Sequence, residues 1–111
     1  RTAAETDWER IVALYDALSQ VSPSPIVDLN RAVSIGMAFG PAAGLEAVDA
    51  LADDQRLKRY HLLPAVRADL LTKLGRVEEA RTELGRAAAL TQNERERALL
   101  VSRAKALVPP A

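Results

Sequence analysis

Residues 62–90 constrain the fold of this 111-residue chain more than any other stretch. They read LLPAVRADLLTKLGRVEEARTELGRAAAL, which is two apolar helical patterns with a glycine between them. Two antiparallel helices approach closely only where at least one of the facing side chains is short. The predicted packing positions alternate small and large residues, and they are Ala68, Leu71, Gly75, Ala80, Leu84 and Ala87. This spacing predicts a tightly packed helical hairpin.

A shift of 36 residues aligns this hairpin with the preceding part of the chain. The corresponding packing positions of the earlier copy are Ala32, Ile35, Gly44 and Val48. The period is slightly longer than the roughly 34 residues of a tetratricopeptide repeat, and the extra length falls in the charged connector 53–60. We therefore predict an all-α fold, a tetratricopeptide-like stack of about six antiparallel helices that forms an α–α superhelix.

Capping signals and apolar periodicity divide the chain into its helices. Thr6 with Glu9 fits a capping box, and Pro109 with Pro110 is expected to end regular structure. The predicted helices span residues 7–19, 25–39, 41–51, 62–74, 77–90 and 94–107. Residues 1–111 should form a single helical-repeat domain. Because the chain opens with Arg1 and enters a helix almost at once, we expect it to be a fragment cut from a longer protein.

Composition excludes several classes of partner. Fifteen basic and fifteen acidic side chains cancel, so no global field attracts nucleic acid or an anionic membrane. The absence of cysteine excludes disulfides and thiolate metal sites, and it suits a reducing compartment. The apolar runs are far shorter than the roughly 18 residues that a membrane span requires. We expect no membrane contact and a cytoplasmic location.

The sequence offers little catalytic or metal-binding chemistry. His61 is its one histidine, and no nucleophile motif lies near it. The carboxylates of Asp49, Asp53 and Asp54 are hard ligands suited to a hard cation, although a solvated helix end is the commoner role of such a cluster. We therefore predict no enzymatic activity, no cofactor and no metal. A small hydrolase or metal-dependent enzyme stays open only if His61 or the aspartates form a pocket.

Four polar residues interrupt otherwise apolar helices, and they are Asn30, Arg31, Arg67 and Asp69. Each needs a partner, because an unpaired buried charge is strongly unfavourable. In one interpretation they bond to each other or to helix ends across the stack, and in the other they line a groove. The first helix of each repeat lines the concave side of such arrays. The concave surface should then present Leu29, Val33, Met37, Ala65, Asp69, Thr72 and Lys73.

Long strings of the sequence extend this prediction to a known family. They are TDWERIVALYDAL, PSPIVDLNRAVSIGMAFGPAAGLEAVDAL and YHLLPAVRADLLTKLGRVEEARTELGRAAALT. These runs resemble the C-terminal extension of one group of bacterial extracytoplasmic-function (ECF) RNA polymerase sigma factors. The resemblance covers residues 6–107, and its most specific strings are PSPIVDLNRAV, GPAAGLEAVDAL and LLPAVRADLLTKLGR.

The resemblance implies a tetratricopeptide-like domain that regulates transcription initiation through protein contacts. It implies that the chain lacks the two sigma regions that bind the polymerase and recognise promoters, so no direct nucleic acid contact is expected from it. The expected partners are its own sigma regions, RNA polymerase or a regulatory protein. The motifs LNRAV and PAVRADLL make Asn30, Arg31, Arg67 and Asp69 the structural or interaction positions. The alternative is a stand-alone tetratricopeptide-like adaptor that binds peptides.

Overall fold

The computed structural model describes residues 6–107, which fold into six α-helices and contain no β-strand. The helices are α1 (Trp8–Val21), α2 (Pro25–Phe39), α3 (Pro41–Asp49), α4 (Leu62–Lys73), α5 (Val77–Leu90) and α6 (Glu94–Ala106). A single turn of 3-10 helix, Gln55–Leu57, lies in the connector between α3 and α4. The predicted all-α stack is confirmed.

Several helix ends differ from the prediction by one or two residues. Helix α1 begins after Asp7, whose side chain accepts a hydrogen bond from the backbone N–H of Arg10 at 3.1 Å, so Asp7 rather than Thr6 is the N-cap. The helix also continues two residues further, to Val21. Helix α3 ends at Asp49, two residues earlier than predicted, and residues 50–53 form turns. The prediction for Pro109 and Pro110 lies outside the described residues.

A glycine turn connects α4 to α5. Gly75 has a φ of +77°, a left-handed conformation that L side chains rarely adopt. Its N–H donates to the carbonyl of Thr72 at 3.0 Å, and the N–H of Arg76 donates to the carbonyl of Leu71 at 2.9 Å. These two hydrogen bonds form a Schellman motif, which satisfies the last carbonyls of α4. The turn lets α5 pack back along α4 and complete the hairpin.

Successive helices pack as hairpins around two apolar clusters. The first cluster joins α2, α3, α4 and α5, and its buried members are Leu29, Ala32, Leu45, Val48, Leu70, Leu71 and Ala80. The second joins α4, α5 and α6 through Ala68, Leu84, Ala87, Ala88 and Leu100. Of the predicted packing positions outside these clusters, Gly44 is buried, Ile35 is half-buried, and Gly75 is exposed in its turn.

Helix α2 is less buried than its broad apolar stripe suggests. Its stripe predicts a helix enclosed on all sides, but Ile26, Val33, Met37 and Phe39 are each more than a third exposed. Neighbouring helices cover the side that carries Leu29, Ala32 and Ser34. The most buried helix is instead α5, which contributes five buried residues. An uncovered apolar stripe on α2 is thus a feature of the fold.

The two exposed glycines Gly75 and Gly85 provide a matched test of the hairpin turn. An added Cβ meets nothing within 4 Å at either position. Gly75→Ala should destabilise the protein by about 1 to 2 kcal/mol, because alanine is strained at positive φ. Gly85→Ala should stabilise it by about 0.5 to 1 kcal/mol, because Gly85 lies inside α5. Urea unfolding measures both, and equal effects would contradict the left-handed turn.

The close approach of α4 and α5 is tested by enlarging one alanine. Ala80 has no exposed surface, so Ala80→Leu should overpack the hairpin and cost about 1 to 3 kcal/mol. Ala89→Leu adds the same atoms to the same helix at an exposed position, and its stability should stay within about 0.5 kcal/mol of the original. A thermal melt in which both variants behave alike would refute this packing register.

Candidate functional site

A groove between α2 and α4 has the character of a binding surface. Its volume is about 280 Å³, which is near the lower limit of roughly 300 Å³ for pockets that enclose small molecules. We name it the α2–α4 groove, and it is lined by Val33, Gly36, Met37, Ala65, Val66, Asp69, Leu70, Lys73 and Arg103. A space of this size suits one or two side chains of a partner.

The apolar part of the groove lies on α2. Val33 and Met37 are one helical turn apart, so they lie on the same side of the helix. They are 38% and 46% exposed, respectively. Leu70 of α4 lies beneath them with only 5% of its surface exposed. The groove therefore combines a buried floor with a partly exposed apolar wall.

The charged part of the groove comes from α4 and α6. The Asp69 carboxylate and the Lys73 ammonium form an ion pair at 3.1 Å, and both side chains are about half-exposed. Arg103 has no ion-pair partner among residues 6–107. The α6 side of the groove therefore has one positive charge that the described part of the chain leaves unbalanced.

The structure brings most of the predicted concave surface together. Val33, Met37, Ala65, Asp69 and Lys73 all line the groove. Leu29 is instead buried in the first cluster. The hydroxyl of Thr72 donates to the carbonyl of Ala68 at 2.8 Å. The sequence does not predict that Arg103 lines the groove, because α6 has the pattern of a terminal helix with one solvated face.

The structure does not bring the four predicted polar residues together. Arg31 of α2 pairs with Asp16 of α1. Asn30 is exposed, and its backbone carbonyl accepts a hydrogen bond from Ser34. Arg67 bonds to residues of α3 and α5, whereas Asp69 bonds to Lys73. The four therefore do not bond to each other, although Arg67 bonds to Asp49 at the end of α3 as the alternative of helix ends predicted. Only Asp69 lines the groove.

Arg67 belongs to an ionic network that faces a different cavity. Its Nε donates to the Asp49 carboxylate at 2.8 Å, and its Nη1 lies 3.7 Å from the Glu83 carboxylate. Glu83 is only 4% exposed and accepts a hydrogen bond from Arg86 at 2.7 Å. The network lines a cavity of about 380 Å³ between α3, α4 and α5. The contacts make Arg67 a structural residue.

Glu83 is a buried charge that sequence analysis missed. It reads as one of several polar residues of α5, and its one local signal is the basic Arg86 three residues later. Within the described residues, every buried side-chain nitrogen or oxygen has a hydrogen-bond partner. Burial of Glu83 is tolerated because two guanidinium groups lie against it.

Three of the four candidate catalytic and metal-binding residues, His61, Asp49 and Asp54, pair with neighbouring side chains. His61 Nε2 lies 2.5 Å from the Glu96 carboxylate, which connects the start of α4 to α6. Hydrogen bonds from the Arg56 side chain and backbone hold the pKa of Asp54 below its usual value. No group of three or more acidic or histidine side chains within residues 6–107 is arranged to hold a metal ion.

Two further surface properties bear on possible partners. Helix α1 carries an outward apolar stripe, Leu14, Leu18 and Val21, at helical spacing. None of the described helices has the length and apolar character needed to cross a membrane. The stripe provides a surface against which the groove can be compared by mutation.

Comparison with known proteins gives a match of uncharacterized function. An uncharacterized protein of Rhizobium meliloti (strain 1021) is 46% identical over 96 residues, which cover 86% of this chain. The chain spans only about a fifth, 22%, of the length of that relative. No protein-family model and no solved structure matches the chain. A similar segment therefore occurs within a longer protein.

The ionic network predicts that the buried Glu83 depends on both of its arginines. Arg67→Ala should destabilise the protein by about 1 to 3 kcal/mol, because Glu83 loses one of the charges that compensate its burial. Arg86 is 62% exposed at its side chain, but it donates the hydrogen bond that the Glu83 carboxylate accepts at 2.7 Å, so Arg86→Ala should cost a similar amount, about 1 to 3 kcal/mol. Urea unfolding measures both. A loss below about 0.5 kcal/mol for either variant, the range of an ordinary surface substitution, would contradict this assignment.

Proposed function

We propose that this chain is a regulatory protein-interaction domain, the C-terminal tetratricopeptide-like part of an ECF-type sigma factor that acts in transcription initiation. The α2–α4 groove is the observation that carries the proposal, because it joins an uncovered apolar stripe to an unbalanced charge. The resemblance over residues 6–107 supports the sigma-factor assignment. The chain matches about a fifth of the length of a longer relative, which is consistent with a domain that works within a larger protein.

The properties of the groove favour a polypeptide over a small molecule. Interfaces bind through a few apolar anchors that insert into small hollows, surrounded by polar residues. Met37 and Val33 offer such a hollow, with the Asp69–Lys73 pair and Arg103 at its edge. A small-molecule site normally encloses most of its ligand with a set of convergent polar groups. The α2–α4 groove instead has space for one or two side chains of a partner, and its charged edge is exposed to solvent.

The sigma regions of the same polypeptide are the proposed partner. A groove that holds one or two side chains gives a weak contact between separate molecules. When both surfaces belong to one chain, the effective concentration reaches roughly millimolar values for a short flexible connection. A weak contact is then sufficient to hold the sigma regions and is still easily released. That combination suits regulation through protein contacts.

The proposal is tested by mixing this chain with the sigma regions of its parent protein, expressed separately, and measuring whether the two bind. Met37→Glu should raise the dissociation constant by at least about tenfold, which corresponds to about 1.4 kcal/mol of lost binding free energy. The reason is that a carboxylate would enter the apolar hollow. Leu14→Glu places the same charge on the outer stripe of α1, and its affinity should be unchanged. Fluorescence anisotropy measures binding, and circular dichroism verifies the fold.

Four results would contradict parts of this proposal. Absence of binding by the original chain would reject the sigma regions as partner. Equal losses from Met37→Glu and Leu14→Glu would reject the groove as the binding surface. Loss confined to Leu14→Glu would move the surface to α1. Tight binding to unrelated peptides without binding to the sigma regions would favour the stand-alone adaptor.

A further inference from the structure

A second depression adjoins the α2–α4 groove at Met37, which lines both. Its volume is about 300 Å³, and its remaining wall comes from Ala38 and the start of α1, including Asp7, Trp8 and Glu9. Met37 therefore has the N-terminal end of α1 on one side and α4 with α6 on the other. The two depressions therefore meet at Met37, and we treat them together as one surface.

The two sides of this surface carry opposite charge. On the α1 side, the Asp7 carboxylate caps the helix through the N–H of Arg10. Glu9 is exposed and has no ion-pair partner in the described part of the chain. On the α6 side, Asp69 balances Lys73, and Arg103 stays unbalanced. The surface therefore runs from anionic through apolar to cationic.

We infer that the occupant of the α2–α4 groove is a protein segment with a fixed charge order. Its acidic end lies beside Arg103, its apolar middle contacts Met37, and its basic end lies beside Glu9 and Asp7. This inference rests on the proposed function, because it specifies which segment the groove accepts. The charges determine the direction of the bound segment, since the reverse direction places like charges together at both ends.

The charge order also separates a protein segment from other occupants. A nucleic acid strand is negative along its whole backbone, so it matches the Arg103 side but is repelled at Asp7 and Glu9. A uniformly basic segment has the opposite mismatch. Only a segment with both signs, separated by apolar residues, is complementary across the full surface. At physiological salt the screening length is about 8 Å, so each charge acts mainly on its nearest neighbour.

Selection from a displayed library of random short peptides tests this inference. The probe peptides are selected on the original chain, and those that still bind the Met37→Glu variant are removed. The retained peptides should carry acidic residues at one end, basic residues at the other and aliphatic or aromatic residues between them. Synthetic copies with the two charged ends exchanged should bind on the order of tenfold more weakly.

A double charge reversal gives the sharper readout. The variant with Glu9→Lys and Arg103→Glu should select peptides of the inverted charge order. The variant with Glu9→Gln and Arg103→Gln should select peptides without a charge order, and it serves as the test if reversal near the start of α1 disturbs folding. Lys105→Glu is the control, because Lys105 is exposed on α6 and does not line the groove.

The outcomes separate this inference from the proposed function. Peptides that depend on Met37 but carry no charge order would overturn the inference and leave the groove as a protein-binding site. The inference would also be overturned if the variant with Glu9→Lys and Arg103→Glu still selected peptides of the original charge order. Failure to retain any peptide that depends on Met37 would overturn both the inference and the groove. A charge order that inverts with Glu9 and Arg103 would support it.

Discussion

The crossing of α2 and α3 at two glycines determines how the helices stack. A Cβ atom on Gly44 would lie 2.8 Å from the Cα atom of Gly36, so the two backbones meet without side chains between them. Leu70 of α4 lies over this crossing, because its Cδ2 atom would be only 3.1 Å and 3.0 Å from Cβ atoms added at Gly36 and Gly44. Leu70, packed on these two glycines, thus positions α4 against α2 and α3.

The same contact gives the two sides of α4 different properties. Gly36 and Leu70 both line the α2–α4 groove, so the groove rests directly on this close crossing of α2 and α3. On another side of α4, Arg67 joins Asp49 and the buried Glu83 in a network of ion pairs. Charges there are matched within the fold. At the groove, by contrast, the described residues leave Arg103 unmatched.

Sequence predicted the helices and most of the small packing positions, because periodicity and residue size are local properties. It also predicted which faces of α2 and α4 meet at the groove, since repeat architecture fixes them. Arg103 and Glu9 could not be assigned to that surface, because their placement depends on how terminal helices stack. Glu83 reads as a surface residue because only tertiary packing encloses it. Ile35 aligns with Leu71 but lies nearer the end of the described stack, where fewer helices cover it.

The uneven matching of charge has a physical consequence for binding. Charges that are paired inside the fold contribute to its structure and have little attraction left for a partner. Charges left open beside an apolar hollow attract a partner of opposite sign and reject the reversed orientation. Because the hollow accepts only one or two side chains, orientation must come from these charges rather than from a large contact area. Under the proposed function, the α2–α4 groove would bind a tethered partner weakly and in a fixed direction.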